Sequence, residues 1–346
     1  MHVLVIGGTR FVGPLVVFRL LAGGHRVTLF NRGTRPDPFG DRVERLSGDR
    51  TTEDLWRKTS DRSFDAVVDF AAYHREDVLG AVEALSGRVG HYIFIGTGQV
   101  YLVRQSCPRP ASEADYDGPL MSRPDDPEDA AQWDYGIGKR ACEDALVEAW
   151  ASERFPATRI RIPMVNGERD HYRRLERYLW RLTDGGPLLV PGGGAHSVRH
   201  VYAGEVARAI VHMLGRSETF GGAYNVCQRE TPTLVELLGM LGAMVGARPK
   251  LVSVTAAELE NAGLSPRELS PFSGRWMSMI EPSKVESELG FVHEPLESYL
   301  GKIAASFFAH PPATPPEGYE RRKEEIALAE KWLTKRATVP PPGMGA

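Results

Sequence analysis

The chain is poor in cysteine. Three occur in 346 residues, Cys107, Cys142 and Cys227, and they lie far apart. They form neither a CxxC pair nor a disulfide framework, which points to a reducing, cytoplasmic setting. An excess of one charge is also missing: 42 basic residues stand against 45 acidic ones, a formal net charge of −3. That balance argues against a general nucleic-acid binder and leaves room only for a local basic patch. No apolar stretch is long enough to span a membrane, so no membrane association is expected. The opening residues lack the basic segment and apolar run of a signal peptide. No His/Cys/Asp cluster falls at ligand spacing, so no metal is expected. There is no internal repeat.

What is present is an alternation of strand and helix signals. Apolar runs at 3–6, 26–30, 65–70 and 91–95, with a weaker one at 43–46, read as strands. They do not alternate polar with apolar, which suits strands covered on both faces. Helical periodicity at 11–21, 52–58 and 76–85 separates most of them, the pattern of βαβ units and a parallel sheet. A stretch rich in Pro, Asp and Glu at 102–132 reads as a lid loop, and its acids Asp125, Asp126, Glu128 and Asp129 read as solvated. A helix is expected from about 134 and a strand at 158–162. Looser signals follow: helices at 173–182, 204–214 and 234–245, then a Pro-rich segment and a charged helix.

The first strand runs into Gly7, Gly8, Thr9, Arg10, Phe11, Val12 and Gly13. This is GxxGxxG with arginine in the middle place. Gly7 permits a left-handed turn, Gly13 permits close helix–strand packing, and the amides of the loop open a helix N-terminus suited to a pyrophosphate. The second strand ends in Phe30-Asn31-Arg32-Gly33, with no acid to hold the ribose hydroxyls of NAD. Arg10 and Arg32 instead suit a 2′-phosphate, so the expected cofactor is NADP, with NAD as the alternative.

Tyr135 and Lys139 are four apart on one helix face. A free phenol has a pKa of about 10, and a neighbouring ammonium favours its ionised form. Tyr135 could then exchange a proton with a substrate oxygen. Thr97 lies just after the fifth strand, at the sheet edge where such folds bind ligands, and its hydroxyl can bond the same oxygen.

These motifs, in this order, resemble those of an extended short-chain dehydrogenase/reductase of the NAD(P)-dependent epimerase/dehydratase family. The similarity covers roughly residues 1–308. It rests on the Gly7–Gly13 loop, Asp49, Ala71-Ala72, Thr97 with Val100-Tyr101, Tyr135 with Lys139, and RIPMVNG at 161–167. "GGTRFVG" and "FNRG" resemble an atypical branch close to the chloroplast stem-loop-binding proteins. The resemblance implies a Rossmann-type doubly wound parallel sheet with a smaller C-terminal α/β substrate-binding region. The expected division is 1–165 for dinucleotide binding, 166–310 mainly for substrate with 199–215 returning to the first domain, and 311–346 as a tail. Thr97, Tyr135 and Lys139 would be the catalytic triad. Asp49 would lie near the adenine, Ala71 along the cofactor, and Pro163 and Val165 near the nicotinamide, with Arg50 and Ala72 also among the cofactor-binding residues. Tyr73, Gly98, Gln99 and Arg199 are candidates for substrate contact. A homodimer through the helices at 76–85 and 135–150 is implied.

Two departures narrow the reaction. Sugar-nucleotide dehydratases of this family carry Asp-Glu after the catalytic Thr, where this chain has Gly98 and Gln99, neither of which can serve as a carboxylate. Dehydration and decarboxylation are therefore disfavoured. Arg199 stands one place out of register with the arginine that holds a nucleotide-sugar diphosphate. The expectation is an NAD(P)-dependent reductase or epimerase acting on a hydroxyl/carbonyl carbon of a small molecule. A non-catalytic or RNA-associated protein that kept the cofactor fold is the alternative.

Overall fold

Eleven strands form among the described residues: β1 (His2–Ile6), β2 (Arg26–Asn31), β3 (Glu44–Ser47), β4 (Ala66–Asp69), β5 (Tyr92–Ile95), β6 (Ala157–Arg161), β7 (Met164–Asn166), β8 (Leu188–Pro191), β9 (His200–Tyr202), β10 (Ala223–Asn225) and β11 (Leu251–Val254). The early helices are α1 (Val12–Ala22), α2 (Asp54–Thr59), α3 (Arg75–Leu85), α4 (Gln99–Leu102) and α5 (Pro127–Glu153). The later ones are α6 (Arg174–Thr183), α7 (Ala203–Met213), α8 (Leu234–Met244), α9 (Ala256–Asn261), α10 (Pro266–Leu269), α11 (Ser283–Leu289), α12 (Leu296–Ala309) and α13 (Arg322–Thr338). This computed structural model describes residues 1–338, so the Pro-rich finish at 339–346 lies outside the described residues.

The chain divides into two compact units. One comprises Met1–Gly167, Arg199–Arg229 and Ser278–His293. Its seven-stranded sheet has the order β10-β6-β5-β4-β1-β2-β3, with every pair parallel. This is the doubly wound Rossmann order with a strand added at the β6 edge. Successive residues of β1 explain the two layers. Val3 and Val5 join a core with Val16, Leu20 and Ile210 from α1 and α7. Leu4 and Ile6 join the opposite core with Val78, Leu85 and Leu146 from α3 and α5. The order reverses between β1 and β4, which places a ligand crevice at the carboxyl ends of those strands.

The helix carrying Tyr135 begins at Pro127, two turns before the sequence spacing suggests. Asp126 caps it, its carboxylate accepting from the amides of Glu128 and Asp129 at 3.1 and 2.9 Å. Proline at the first helical position and acids in the first turn are helix-start signals, and here they look like loop composition in the sequence. Asp126 is exposed, as expected of a solvated acid, and is also the cap, so the irregular stretch ends at it.

The other unit comprises Glu168–Val198, Glu230–Met277 and the chain from Glu294 onward. β8 and β11 pair in parallel, and Leu189, Val252, Val254, Leu259, Leu264, Leu269 and Ala329 form its core. α13 supplies Ala329 to that core and is pinned by charge. Arg322 reaches both carboxylate oxygens of Asp184 at 2.6 and 2.9 Å, and Glu325 is held by Arg181 at 2.5 and 2.9 Å. Arg181 and Glu325 are each 1% exposed, so the charged terminal helix is packed rather than solvated. No helix of the described residues is long and apolar enough to cross a membrane.

Candidate functional site

The glycine-rich loop is built for close approach. Gly7 and Gly8 have φ of +84° and +75°, the left-handed region that side chains resist. A Cβ on Gly13 would lie 2.4 Å from the Gly8 backbone, so only glycine lets α1 seat against the loop. Phe11 also takes a positive φ of 49°, a conformation that costs a bulky residue about 1–3 kcal/mol. Its ring is braced on the backbone of Gly167, where a Cβ would come within 3.1 Å. α1 has no side-chain cap and no acid in its first turn. Thr9 and Val12 complete a cradle of amides at a helix N-terminus, an arrangement that fits a pyrophosphate.

β2 ends at Asn31, whose amide oxygen accepts from Gly33 N at 2.8 Å and tightens the turn. Arg10 and Arg32 are exposed, and neither guanidinium forms a hydrogen bond or ion pair among the described residues, although the Arg10 carbonyl accepts from Gly13 N at 3.0 Å. Asp49 follows β3. Its carboxyl is held below the usual range, chiefly by the Thr51 backbone amide at 3.0 Å and the Thr51 hydroxyl at 2.8 Å, with Arg32 adding a smaller charge effect.

Arg50 departs from the sequence expectation. Its guanidinium turns inward to both oxygens of Asp69 at 2.7 Å and lies 3.3 Å from the Asp77 carboxylate. Asp69 also accepts from the amides of Ala71 and Ala72 at 2.8 and 3.1 Å, and from the Tyr92 hydroxyl at 2.5 Å. Burial and that carboxylate push the Tyr92 phenol well above its ordinary pKa, so it acts as a donor. Asp77 accepts from Tyr73 N at 2.8 Å and His74 N at 3.0 Å. Arg50 is therefore a strut that shapes the 70–74 turn. Asp69 and Asp77 are the residues sequence reasoning missed. The His74-x-x-Asp77 spacing of a capping box was a readable signal for the second.

The triad residues come from two elements that meet at the carboxyl end of β5. Thr97 Oγ1 accepts from Gln99 N at 3.2 Å, which leaves its own proton to donate. Tyr135 is 38% exposed, and its ring centroid lies 6.3 Å from that of Tyr73. Lys139 is 3% exposed and donates to the carbonyls of Ala72 at 2.7 Å and Ile95 at 2.9 Å. Burial pushes its pKa down to about 8. Gly138 makes this contact possible, because a Cβ there would sit 2.5 Å from the Tyr73 carbonyl oxygen. One turn further along α5, the buried Glu143 accepts from Arg161 on β6 at 2.6, 2.9 and 3.1 Å. Arg161 also donates to the Tyr101 hydroxyl at 2.6 Å.

The remaining candidates are spent largely on the fold. Gly98 lies against Ser278, where a Cβ would come within 2.5 Å of the serine hydroxyl. The buried Gln99 amide donates to Gln132 Oε1 and to the Gln132 carbonyl, each at 2.9 Å. Arg199, expected at the substrate, is 5% exposed and donates to the carbonyls of Gln228 and Arg229. Neighbouring His200 is fully buried and burial lowers its pKa to about 3, which keeps it neutral. Pro163 is buried just before β7, and Val165 is half-buried within it.

Comparison with known proteins places this geometry. The chain is 27% identical over 238 residues to the chloroplast stem-loop binding protein of 41 kDa b from Arabidopsis thaliana, 65% of this chain. It spans 58% of that relative's length. It is 24% identical over 351 positions to 2′-dehydrokanamycin reductase from Streptomyces kanamyceticus, covering all of this chain and 88% of that one. The UDP-glucose 4-epimerase of Thermotoga maritima, solved with UDP-glucose, has the same fold: TM-score 0.69 at 18% identity, over 89% of this chain and 99% of that one. dTDP-glucose 4,6-dehydratases share the fold too. The family model described as "NAD dependent epimerase/dehydratase family" matches residues 3–227, and the chain, with its parallel sheet and glycine-rich cradle, belongs to that family.

Proposed function

We propose that the chain is an NADP-dependent oxidoreductase or epimerase acting at a hydroxyl- or carbonyl-bearing carbon of a small molecule. The observation that carries this reading is Lys139, buried on two carbonyls one helical turn from Tyr135 and beside the strand that leads to Thr97. When bound, the nicotinamide supplies the hydride acceptor or donor. The Gly7–Gly13 cradle, Asp49, the Ala71-Ala72 turn and Lys139 would hold the dinucleotide. Thr97 would orient the substrate oxygen, Tyr135 would give or take its proton, and the Lys139 charge would favour the Tyr135 phenolate. Gly98 and Gln99 offer no carboxylate beside Thr97, which supports redox or epimerisation over elimination of water. The fold itself does not separate these reactions, since dehydratases share it. The similarity to a reductase along the whole chain supports reduction at a ketone.

A second reading, an RNA-associated protein of the same fold, draws on the similarity to the stem-loop binding protein. Retention of Thr97, Tyr135 and Lys139 together favours the enzyme.

Cofactor choice tests the proposal. Two unpaired guanidiniums suit a dianionic 2′-phosphate, so calorimetry should show NADPH binding tighter than NADH. Arg32→Ala should weaken NADPH about ten- to a hundredfold, the size of a charge-assisted bond, and spare NADH. Failure to bind either nucleotide would remove the enzymatic reading, and equal parental affinities would remove the assignment of NADP. We also propose a cytoplasmic homodimer through α3 and α5. The exposed apolar side chains Leu79 on α3 and Val147 on α5 support it, and a monomeric mass in light scattering would overturn it.

A further inference from the structure

The Lys139 ammonium sits in an aromatic box. Its nitrogen is 4.7 Å from the centroid of the Tyr73 ring and 4.8 Å from that of Phe94. Two of its three protons go to the Ala72 and Ile95 carbonyls. Phe94 is a fully buried residue of β5, whereas Tyr73 is 49% exposed.

The backbone of Tyr73 is fixed from two sides. Asp77 accepts its N–H at 2.8 Å, and Gly138 lets α5 press against its carbonyl. The ring is thus carried on a rigid turn whose shape Arg50 and Asp69 set.

We propose that Tyr73 is a positioning residue that holds Lys139 as the ammonium by presenting its π face to Nζ. The inference rests on the role proposed above for Lys139. A ring face attracts a cation electrostatically, and more strongly when the cation is desolvated, as here. It therefore opposes the burial that otherwise favours neutral lysine. Other groups act on Lys139 as well: Cys142 and Glu143 on its own helix and Asp69 on β4 favour the charge, and Arg50 after β3 opposes it. All of these groups are retained when Tyr73 is replaced, and Tyr73→Phe controls for the hydroxyl. Tyr73 then acts on Tyr135 at one remove, through the charge it keeps on Lys139.

The test reads the titration of Lys139 without turnover, so it stands or falls apart from the catalytic proposal. The full chain would carry 13C at lysine Cε, with the Lys139 signal assigned by its loss in Lys139→Met. Most lysines titrate at about 10.4, well clear of it. Tyr73→Leu keeps an apolar cover and removes the π face, and should lower the Lys139 midpoint by about half to one pH unit. Tyr73→Phe keeps the face and should titrate like the parent. A Tyr73→Leu midpoint that stays put or rises would overturn the proposal. So would an equal drop in Tyr73→Phe, which would assign the effect to the hydroxyl. If Tyr73→Leu does not fold, Tyr73→Trp decides: its midpoint should match or exceed the parent's, and a drop counts against the ring.

Discussion

Replacing Tyr135 with phenylalanine is expected to lower turnover by about a hundred- to ten-thousandfold, the usual loss when a positioned acid/base is removed. Cofactor affinity should stay close to parental, because the ring remains and only the hydroxyl goes. The size of the effect follows from what surrounds the phenol. Lys139 is buried one turn away with its ammonium fixed on two carbonyls, so its charge cannot be replaced by a mobile solvent cation. Thr97 can hold the substrate oxygen but has no means of moving a proton at neutral pH. The parental rate should also fall as pH rises through about 8, where Lys139 loses its charge and its support for the phenolate. Stopped-flow turnover and nucleotide titration of the same preparation separate the two effects. Parental turnover in Tyr135→Phe would remove this residue from the mechanism.

Glu143→Ala should cost about 3–5 kcal/mol of stability, measured by denaturant unfolding. Arg161 and Glu143 are 1% and 0% exposed. Their contact joins the middle of α5 to the end of β6 through three short hydrogen bonds. Removing the carboxylate takes the counter-charge from buried Arg161 and from Arg159, 3.7 Å from the same carboxylate, and the Tyr101 hydroxyl at 2.6 Å from Arg161 cannot replace it. Removing the carboxylate with its more buried partner, as in Glu143→Leu with Arg161→Leu, should cost less than Glu143→Ala alone, because only Arg159, the more exposed of the two guanidiniums, is then left without its carboxylate. A loss below about 1 kcal/mol in Glu143→Ala, the range of an exposed pair, would show that water reaches the arginine.

The sequence made the sheet legible where burial writes itself as composition. β1, β4 and β5 are covered on both faces, so their runs are continuously apolar. β7, β9 and β10 are three residues each and carry no periodicity, so nothing in the chain marks them as strands. The start of α5 is a different case: Pro127 and the acids around it follow the rules for a helix N-terminus and equally those for a loop. In the site, Tyr135 and Lys139 could be placed together because they are neighbours along one helix. The contact of Lys139 with Tyr73 joins a helix to a turn far back in the chain. Arg50 shows the same limit, since adjacency to Asp49 says nothing of a side chain that folds back onto Asp69 and Asp77.

The interleaving of the two units has a consequence for synthesis. β10, which closes the outer edge of β6, lies roughly sixty residues beyond it, and the intervening chain builds part of the other unit. A ribosome adding ~5–20 residues per second leaves that edge open for several seconds. An unpaired edge is a template for another strand. Arg159 and Arg161 stand on that edge strand, and their counter-ion Glu143 is already synthesised on α5. The growing chain thus meets the hazard with two arginines in place on the strand most exposed to it, and the Rossmann sheet is complete only when residues far past its sixth strand have emerged.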